Sequence, residues 1–459
     1  MPHKKNNLFM CWIACLVSIG GVLYGYDMGV ISGALLFIKQ AIPMSDTEVG
    51  MIVGAVLGGG LIGTLIAGPI GDRYGRRFLI IASSLDFIVG VGFVLFANSF
   101  LTILCARVLL GIGVGVIAVA VPLYVTEIVS AKDRGKYITF FQLLLTFGIV
   151  MAYFVDLIFT PSGNWRAMFG VVLIPAVILL LGMFFLPETP RWLIANHKTD
   201  RAREILQRIR SSSLEVEHDI KFIQASLQKT QGDWFELFSS RCWLPTFIAV
   251  TIAIFNQLTG INSFLQYAPL ILKNAGMTSD VGTMMGSAGI GMLNFICTLF
   301  AISLIDTLGR RPLLLIGVTG VMLSECYLGI IQLINLNPTM TGILSLVGLL
   351  VFIVFFAIGP GVVVWLAISE LFPTRVRGKG IALCLFFNSL AATLLATFFL
   401  PLSHILGMGQ TYWLFAFFTF GYFLVAFFLL PETKTKTLEE IQFQFQQKAE
   451  AALSVHINQ

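Results

Sequence analysis

Asp27 stands in the middle of the first long apolar run of this chain, within Gly25-Tyr26-Asp27 and ahead of Gly29-Val30-Ile31-Ser32-Gly33. A carboxylate at mid-membrane depth costs roughly 2.5–3.5 kcal/mol on insertion scales, so its presence asks for a chemical reason. Arg107 lies six residues into the fourth apolar run, entered from the opposite side, and is the only cation inside any run. The two depths are compatible. One reading is a static buried pair that fixes two helices. The other is a carboxylate that binds and releases a proton according to whether Arg107 is near and whether water reaches it.

The elements that must position this pair are legible from composition. Of 459 residues, 57% are apolar and 12% charged, about half the charged share of an ordinary soluble domain. Charges cluster between apolar stretches of about 20 residues, the length that crosses about 30 Å of hydrocarbon. Twelve spans start near Leu8, Glu48, Phe78, Leu101, Tyr137, Ala167, Trp243, Gly282, Pro312, Gly342, Gly380 and Thr411. The expected fold is therefore all-α and membrane-embedded. An even number of spans puts both termini on one side. Of the 29 Lys and Arg, all but Lys39, Arg166, Lys273 and Arg107 fall on that side, which the positive-inside rule makes cytoplasmic. The net charge of +5 is thus no nucleic-acid signal. The first run is too long for a signal-peptide core and is followed by no small-residue cleavage site, so it reads as an uncleaved span. The seven cysteines have neither metal-ligand nor disulfide spacing and read as small packing residues. No permitted Asn-x-Ser/Thr sequon occurs and the outward loops are short, which leans towards a bacterial inner membrane.

Three polar signals occur twice. Gly71-Asp72-Arg73-Tyr74-Gly75-Arg76-Arg77 returns as Asp306-Thr307-Leu308-Gly309-Arg310-Arg311. Glu127 with Arg134-Gly135-Lys136 returns as Glu370 with Arg377-Gly378-Lys379. Pro187-Glu188-Thr189 returns as Pro431-Glu432-Thr433. The offsets run from 234 to 244, so one unit has been duplicated. Internally repeated membrane proteins of this kind carry a solute through a site between the repeats. The expected domains are a six-helix bundle over 1–190, a cytoplasmic helical linker over 191–241, a second bundle over 242–433 and a cytoplasmic tail over 434–459. Within the linker, periodicity predicts helices over 201–210 and 214–228, parted by Ser211-Ser212-Ser213; the tail carries one helix over 438–448. No nucleophile–base cluster, metal-ligand set or phosphate loop is present, so neither enzyme chemistry nor a cofactor or metal is expected.

The ordered set formed by the Asp27 segment, the paired Arg-Arg loops, Arg107 with Gly111, Gly113 and Gly115, Pro187-Glu188-Thr189-Pro190-Arg191-Trp192, Gln257-Leu258-Thr259-Gly260-Ile261-Asn262 and Pro431-Glu432-Thr433 resembles the sugar porter family of the major facilitator superfamily. The match runs in order over nearly the whole chain. It implies two pseudo-symmetric six-helix bundles, a monomer, and alternating access to a central monosaccharide site. Proton-coupled members resemble this chain in having Asp at the Asp27 position, where facilitative members commonly have Asn. The resemblance thus points to symport with a proton.

A sugar offers hydroxyls at every carbon and apolar C–H faces, so its site needs amides, which donate and accept, and aromatics, which cover C–H faces. The amides inside spans are Gln142, Asn256, Gln257, Asn262, Asn294 and Asn388. One amide in a span is ordinary helix–helix glue, but three within seven residues of span seven, next to Gly260, are harder to dismiss. Gly260 is the expected break in that span. Gly359-Pro360-Gly361 must interrupt span ten just before Trp365. By resemblance, Gln142, Gln257, Asn262, Asn294, Trp365 and Asn388 fall on sugar-contacting positions. The chain departs from many members at Asn256, where two glutamines are usual, at Gln266-Tyr267, and at Ser389, where a Trp is common. A roomier, more polar pocket near spans seven and eleven is expected.

On the cytoplasmic side, Asp72, Arg73 and Arg76 are expected to bond Glu127 and neighbouring helix ends while an inner gate is closed, with Arg134 beside them. Asp306, Arg310, Arg311, Glu370 and Arg377 repeat the arrangement. Topogenic charge alone is the plainer account of these cations, but it does not explain carboxylates at both Glu127 and Glu370. Asp86 and Glu325 are further membrane carboxylates without a cation at matching depth, for which a helix–helix hydrogen bond or an interfacial position is expected. The functional expectation is a monosaccharide:proton symporter. A uniporter with a structural Asp27 and a sugar sensor that moves nothing are the alternatives, the sensor being disfavoured by a tail under 30 residues long.

Overall fold

The computed structural model describes residues 2–129, 134–210, 212–228, 233–239, 242–334, 336–373 and 375–434. The tail helix expected over 438–448 lies outside the described residues, as do the side chains of Arg134 and Asp306. The described chain is helical and free of strands, with twelve helices long and apolar enough to cross a membrane. Their starts fall within a few residues of the expected ones. The chain divides into two compact units, Met1–Thr230 and Gln231–Gln459. The division falls inside the linker segment. Its helices Thr199–Ile209 and Ser213–Gln228 pack in the first unit, and the short turn Trp234–Phe238 belongs to the second.

In the first unit, span one (Trp12–Ala41) lies against span five (Tyr137–Ser162), and span two (Asp46–Tyr74) against span four (Phe100–Ile128). Helices in lipid gain no hydrophobic drive from meeting one another, so close backbone approach must supply the contact. Span one presents Gly21, Gly25, Gly29 and Gly33, one per turn along a single face. Opposite them on span five stand Phe141, Leu145, Ile149 with Ala152, and Asp156. A Cβ on Gly25 would stand 1.8 Å from the Leu145 carbonyl oxygen, so only glycine fits there.

In the second unit, span seven (Trp243–Gln266) and span ten (Pro338–Leu371) are both broken. The first helix of span seven ends at Leu258, Gly260 adopts φ +78°, and a short helix resumes over Ile261–Gln266. The left-handed conformation is one that glycine adopts without steric cost. Phe264 anchors the short helix among the rings of Phe352, Phe399, Tyr412 and Phe415. Span ten stops at Ile358 and restarts at Pro360, as the Gly-Pro-Gly sequence requires.

Candidate functional site

Asp27 and Arg107 meet. Arg107 Nη1 donates to Asp27 Oδ1 at 2.9 Å, in surroundings where the two side chains are 0% and 3% exposed. Arg107 Nε also reaches the Ile52 carbonyl oxygen at 3.4 Å, and its guanidinium lies over the Phe169 ring. The pair is incomplete in a specific way. Among the described residues, Asp27 Oδ2 and Arg107 Nη2 have no hydrogen-bond partner. A bidentate clasp would have used both. One carboxylate oxygen is therefore held by the guanidinium and the other is not.

The amides of the second unit form a chain. Asn262 Nδ2 donates to Gln257 Oε1 at 2.7 Å, Gln257 Nε2 to Asn388 Oδ1 at 3.2 Å, and Asn388 Nδ2 to the Ala253 carbonyl oxygen at 2.8 Å. The last link orients the rest. A backbone carbonyl can only accept, so Asn388 must turn its amino group towards Ala253, which turns its oxygen to Gln257 and Gln257's oxygen to Asn262. The break at Gly260 brings Gln257 and Asn262 together across five residues. Asn388, from span eleven (Arg377–Leu406), closes the group. Asn262 ends the chain in a partly exposed position.

The remaining candidates stand apart from this chain. Asn256 is buried with its side-chain oxygen unpartnered among the described residues, and Asn294 is buried on span eight. Trp365 packs part-buried against the core of the second unit. Gln142 is exposed on span five, in the first unit. Tyr267 joins the core, with its hydroxyl on the Ala396 carbonyl oxygen and its ring stacked on Phe399.

The duplicated charges form two similar clusters, each bond described here joining parts of one unit. Arg76 donates through Nε to Glu127 at 3.2 Å and through Nη1 to the Gly71 carbonyl at 2.8 Å, and its Nη2 pairs with Asp72 at 3.0 Å. The Thr189 hydroxyl donates to the second Glu127 oxygen. In the second unit Arg310 reaches Glu370 at 3.3 Å, and the other Glu370 oxygen is unpartnered among the described residues. The expected bonds are met only in part among the described residues. Arg73 does not bond Glu127 but lies exposed over the Tyr74 ring at the end of span two, whereas Arg76 stands beyond the turn at Gly75 (φ +100°), at the start of the next helix. Arg311 bonds a neighbouring helix end, its Nη2 donating to the Phe427 carbonyl oxygen, and does not join Glu370. Arg377 Nε and Nη2 find no partner among the described residues.

Arg77 has a role that the sequence reading missed, as have Glu188 and Glu432. Glu188 accepts the backbone N–H groups of Arg76 (3.0 Å), Arg77 (3.2 Å) and Thr189 (2.9 Å), capping the start of span three (Arg76–Leu95). Arg77 returns the favour by bonding the Met183 and Phe184 carbonyls at the end of span six (Trp165–Phe185). Glu432 and Arg311 do the same for spans nine (Arg310–Leu333) and twelve (Met408–Phe428). Free N–H and C=O groups at helix ends need such partners. Burial pushes the Glu188 carboxyl above its ordinary value, against the Thr189, Arg77 and Arg76 N–H groups and the Arg76 charge, which favour the ionised form. The repetition of Pro-Glu-Thr was the available signal.

The other membrane carboxylates divide. Asp86 is half-buried against Gly113 of span four, where a Cβ would stand 2.6 Å from its Oδ2. Glu325 is fully buried rather than interfacial, on span nine beside Thr419 of span twelve. Asp156 went unread as a candidate, although a carboxylate inside an apolar run was visible in the sequence. It is fully buried on span five.

Comparison with known proteins brings in a family model described as "Sugar (and other) transporter", which matches residues 13–445. The galactose-proton symporter of Escherichia coli is 34% identical over 442 residues, covering 96% of this chain and 94% of its own. The glucose transporter GlcP of Staphylococcus epidermidis is 34% identical over 452 residues, covering 97% and 99%. Among solved structures, an inward-open form of the xylose transporter XylE from E. coli superposes with a TM-score of 0.81 at 28% identity, covering 95% of this chain and 99% of that one.

Proposed function

The chain belongs to the sugar transporter family, a multi-pass membrane carrier of the major facilitator fold and no enzyme, and on that footing we propose that it is a monosaccharide:proton symporter importing a pentose or hexose by alternating access. The observation that carries the coupling is the buried Asp27–Arg107 pair with one carboxylate oxygen left over. A proton on Oδ2 cancels the pair's attraction, which frees span four from span one. Protonation and helix position are thereby linked.

Sugar recognition is assigned to the oriented amides Gln257, Asn262 and Asn388, with Gln142, Asn256, Asn294 and Trp365 as further contacts. The curated relatives named for galactose–proton symport and glucose transport support the substrate class. Glu127 and Glu370, with Arg76 and Arg310, are read as gate latches on a cytoplasmic side that also holds both termini, the side to which nearly all Lys and Arg fall. A monomer suffices for this cycle, with the bilayer and no nucleic acid as surroundings.

The test is sugar-induced proton uptake in proteoliposomes, run beside counterflow of labelled sugar. Asp27→Asn should abolish uphill accumulation and leave counterflow largely intact. A proton gradient is worth about 2.3 kcal/mol per charge per 100 mV, or roughly 50-fold accumulation, so the loss is easily read. Counterflow without any proton uptake in the parent would make the protein a uniporter. Unchanged accumulation in the variant would remove Asp27 as the coupling site.

A further inference from the structure

Asp156 completes the row that span five sets against the glycines of span one. At Gly21, Gly25 and Gly29 the opposing groups are backbone or apolar side-chain carbon; at Gly33 the opposing group is a carboxyl, and a Cβ there would stand 2.6 Å from Asp156 Oδ2. Oδ2 accepts the Gly33 N–H at 3.0 Å. That N–H lies inside a continuous helix, where it is ordinarily committed to the carbonyl four residues back, so the carboxyl receives at most a shared donor. Oδ1 has no partner, and no cationic side chain pairs with Asp156, among the described residues. A charge held by one shared N–H would be buried without compensation, so these surroundings suit the carboxylic acid. An asparagine would clasp Gly33 equally well. What the acid adds over the amide is a proton it can give up.

Its place in the bundle gives that proton a destination. Gly33 is six residues beyond Asp27, about 9 Å along span one. That displacement runs towards the joint of spans five and six, away from the Arg76–Glu127 cluster. Titratable groups facing this stretch are few. Tyr26 from span one and Tyr153 from span five are both in electrostatic reach of Asp156. Arg107 of span four is committed to Asp27, and Arg166 at the start of span six to Ala97 and Asn98. The Tyr26 hydroxyl donates to the Met168 carbonyl oxygen, which leaves its own oxygen able to accept.

We propose that Asp156 is a proton-relay residue, taking protons from the end of the bundle where spans five and six join and passing them to Asp27. The proposal rests on the symport reading above. In the transfer, the O–H bond of Asp156 breaks as one forms on an intervening hydroxyl or water, which releases its own proton onward. The last O–H bond forms on Asp27 Oδ2, and water at the bundle end returns a proton to Asp156.

The experiment uses the full chain in proteoliposomes, with Asp156→Asn and Asp27→Asn compared with the parent across pH on the proton-entry side. Counterflow of labelled sugar reports folding and sugar binding, since exchange needs no net proton movement. Asp156→Asn is expected to keep counterflow and the final accumulation ratio, while its initial rate of proton-driven uptake falls about a hundredfold, more steeply as pH rises, the lower end of the scale for loss of a positioned proton donor. Parental rates at every pH would overturn the relay and leave a static clasp. Loss of counterflow in both Asp156→Asn and Asp156→Ser would overturn it as a packing site. A lowered final accumulation ratio would overturn it too, by making Asp156 a coupling site. Asp27→Asn judges the symport reading separately: if that variant still accumulates sugar, symport through Asp27 fails whatever Asp156 does.

Discussion

Replacing Gln257 by Ala tests the amide chain at its centre. The side chain makes two bonds, from Asn262 at 2.7 Å and to Asn388 at 3.2 Å, and both are lost. Asn388 is held to the Ala253 carbonyl and cannot turn to find another partner without giving that bond up. Its oxygen is then stranded at a site only 7% exposed. That stranding lowers stability; binding suffers because a buried sugar hydroxyl that loses its amide partner costs about 1–3 kcal/mol, and Asn262 also loses the contact that fixes its orientation. At about 1.4 kcal/mol per decade, sugar dissociation constants should rise roughly 5- to 150-fold. Asn262→Ala removes only the first link and leaves the Gln257–Asn388–Ala253 segment in register, so it should cost less. The assay is calorimetric titration of the purified protein with the tightest-binding member of a panel of pentoses, hexoses and inositols. Equal dissociation constants for parent and both variants would refute the site. A larger loss in Asn262→Ala than in Gln257→Ala would refute the directed chain, even if the site itself survived.

Two further outcomes follow from the packing and the charges. Gly25→Ala should force spans one and five apart at the Leu145 carbonyl, lowering the thermal midpoint of the purified protein by an overpacking cost of about 1–3 kcal/mol or more, while Gly68→Ala, where a Cβ meets nothing within 4 Å, should leave it unchanged. Glu127 has two partners and Glu370 one, each charge-assisted bond being worth roughly 1.5–3 kcal/mol. Glu127→Gln should therefore speed thiol labelling of cysteines introduced at the cytoplasmic ends of the spans more than Glu370→Gln does, and labelling at the parental rate in the double variant would leave the charges a topological role only.

Much of this protein could be read from its sequence, because a bilayer imposes rules that act along the chain. A span must be about 20 apolar residues long, so the helices and their order follow from counting. A charge inside a span is costly, so Asp27 and Arg107 announce themselves, and counting residues from each end of a span sets their depths to match. Backbone chemistry is equally local: Gly260 and Gly359-Pro360-Gly361 had to break their spans wherever the helices packed. What counting cannot supply is azimuth, the direction in which a side chain leaves its helix once neighbours have packed. Depth alone made Arg73 and Arg76 equivalent, yet packing sent one to Tyr74 and the other to Glu127. Only the fold could reveal that Arg77 and Glu188 cap each other's helices, or that a backbone carbonyl at Ala253 fixes the orientation of three amides. Asp156 was visible as a carboxylate in an apolar run. That it faces Gly33 without a cation was decided by how closely glycines let spans one and five approach, a contact between residues 123 positions apart.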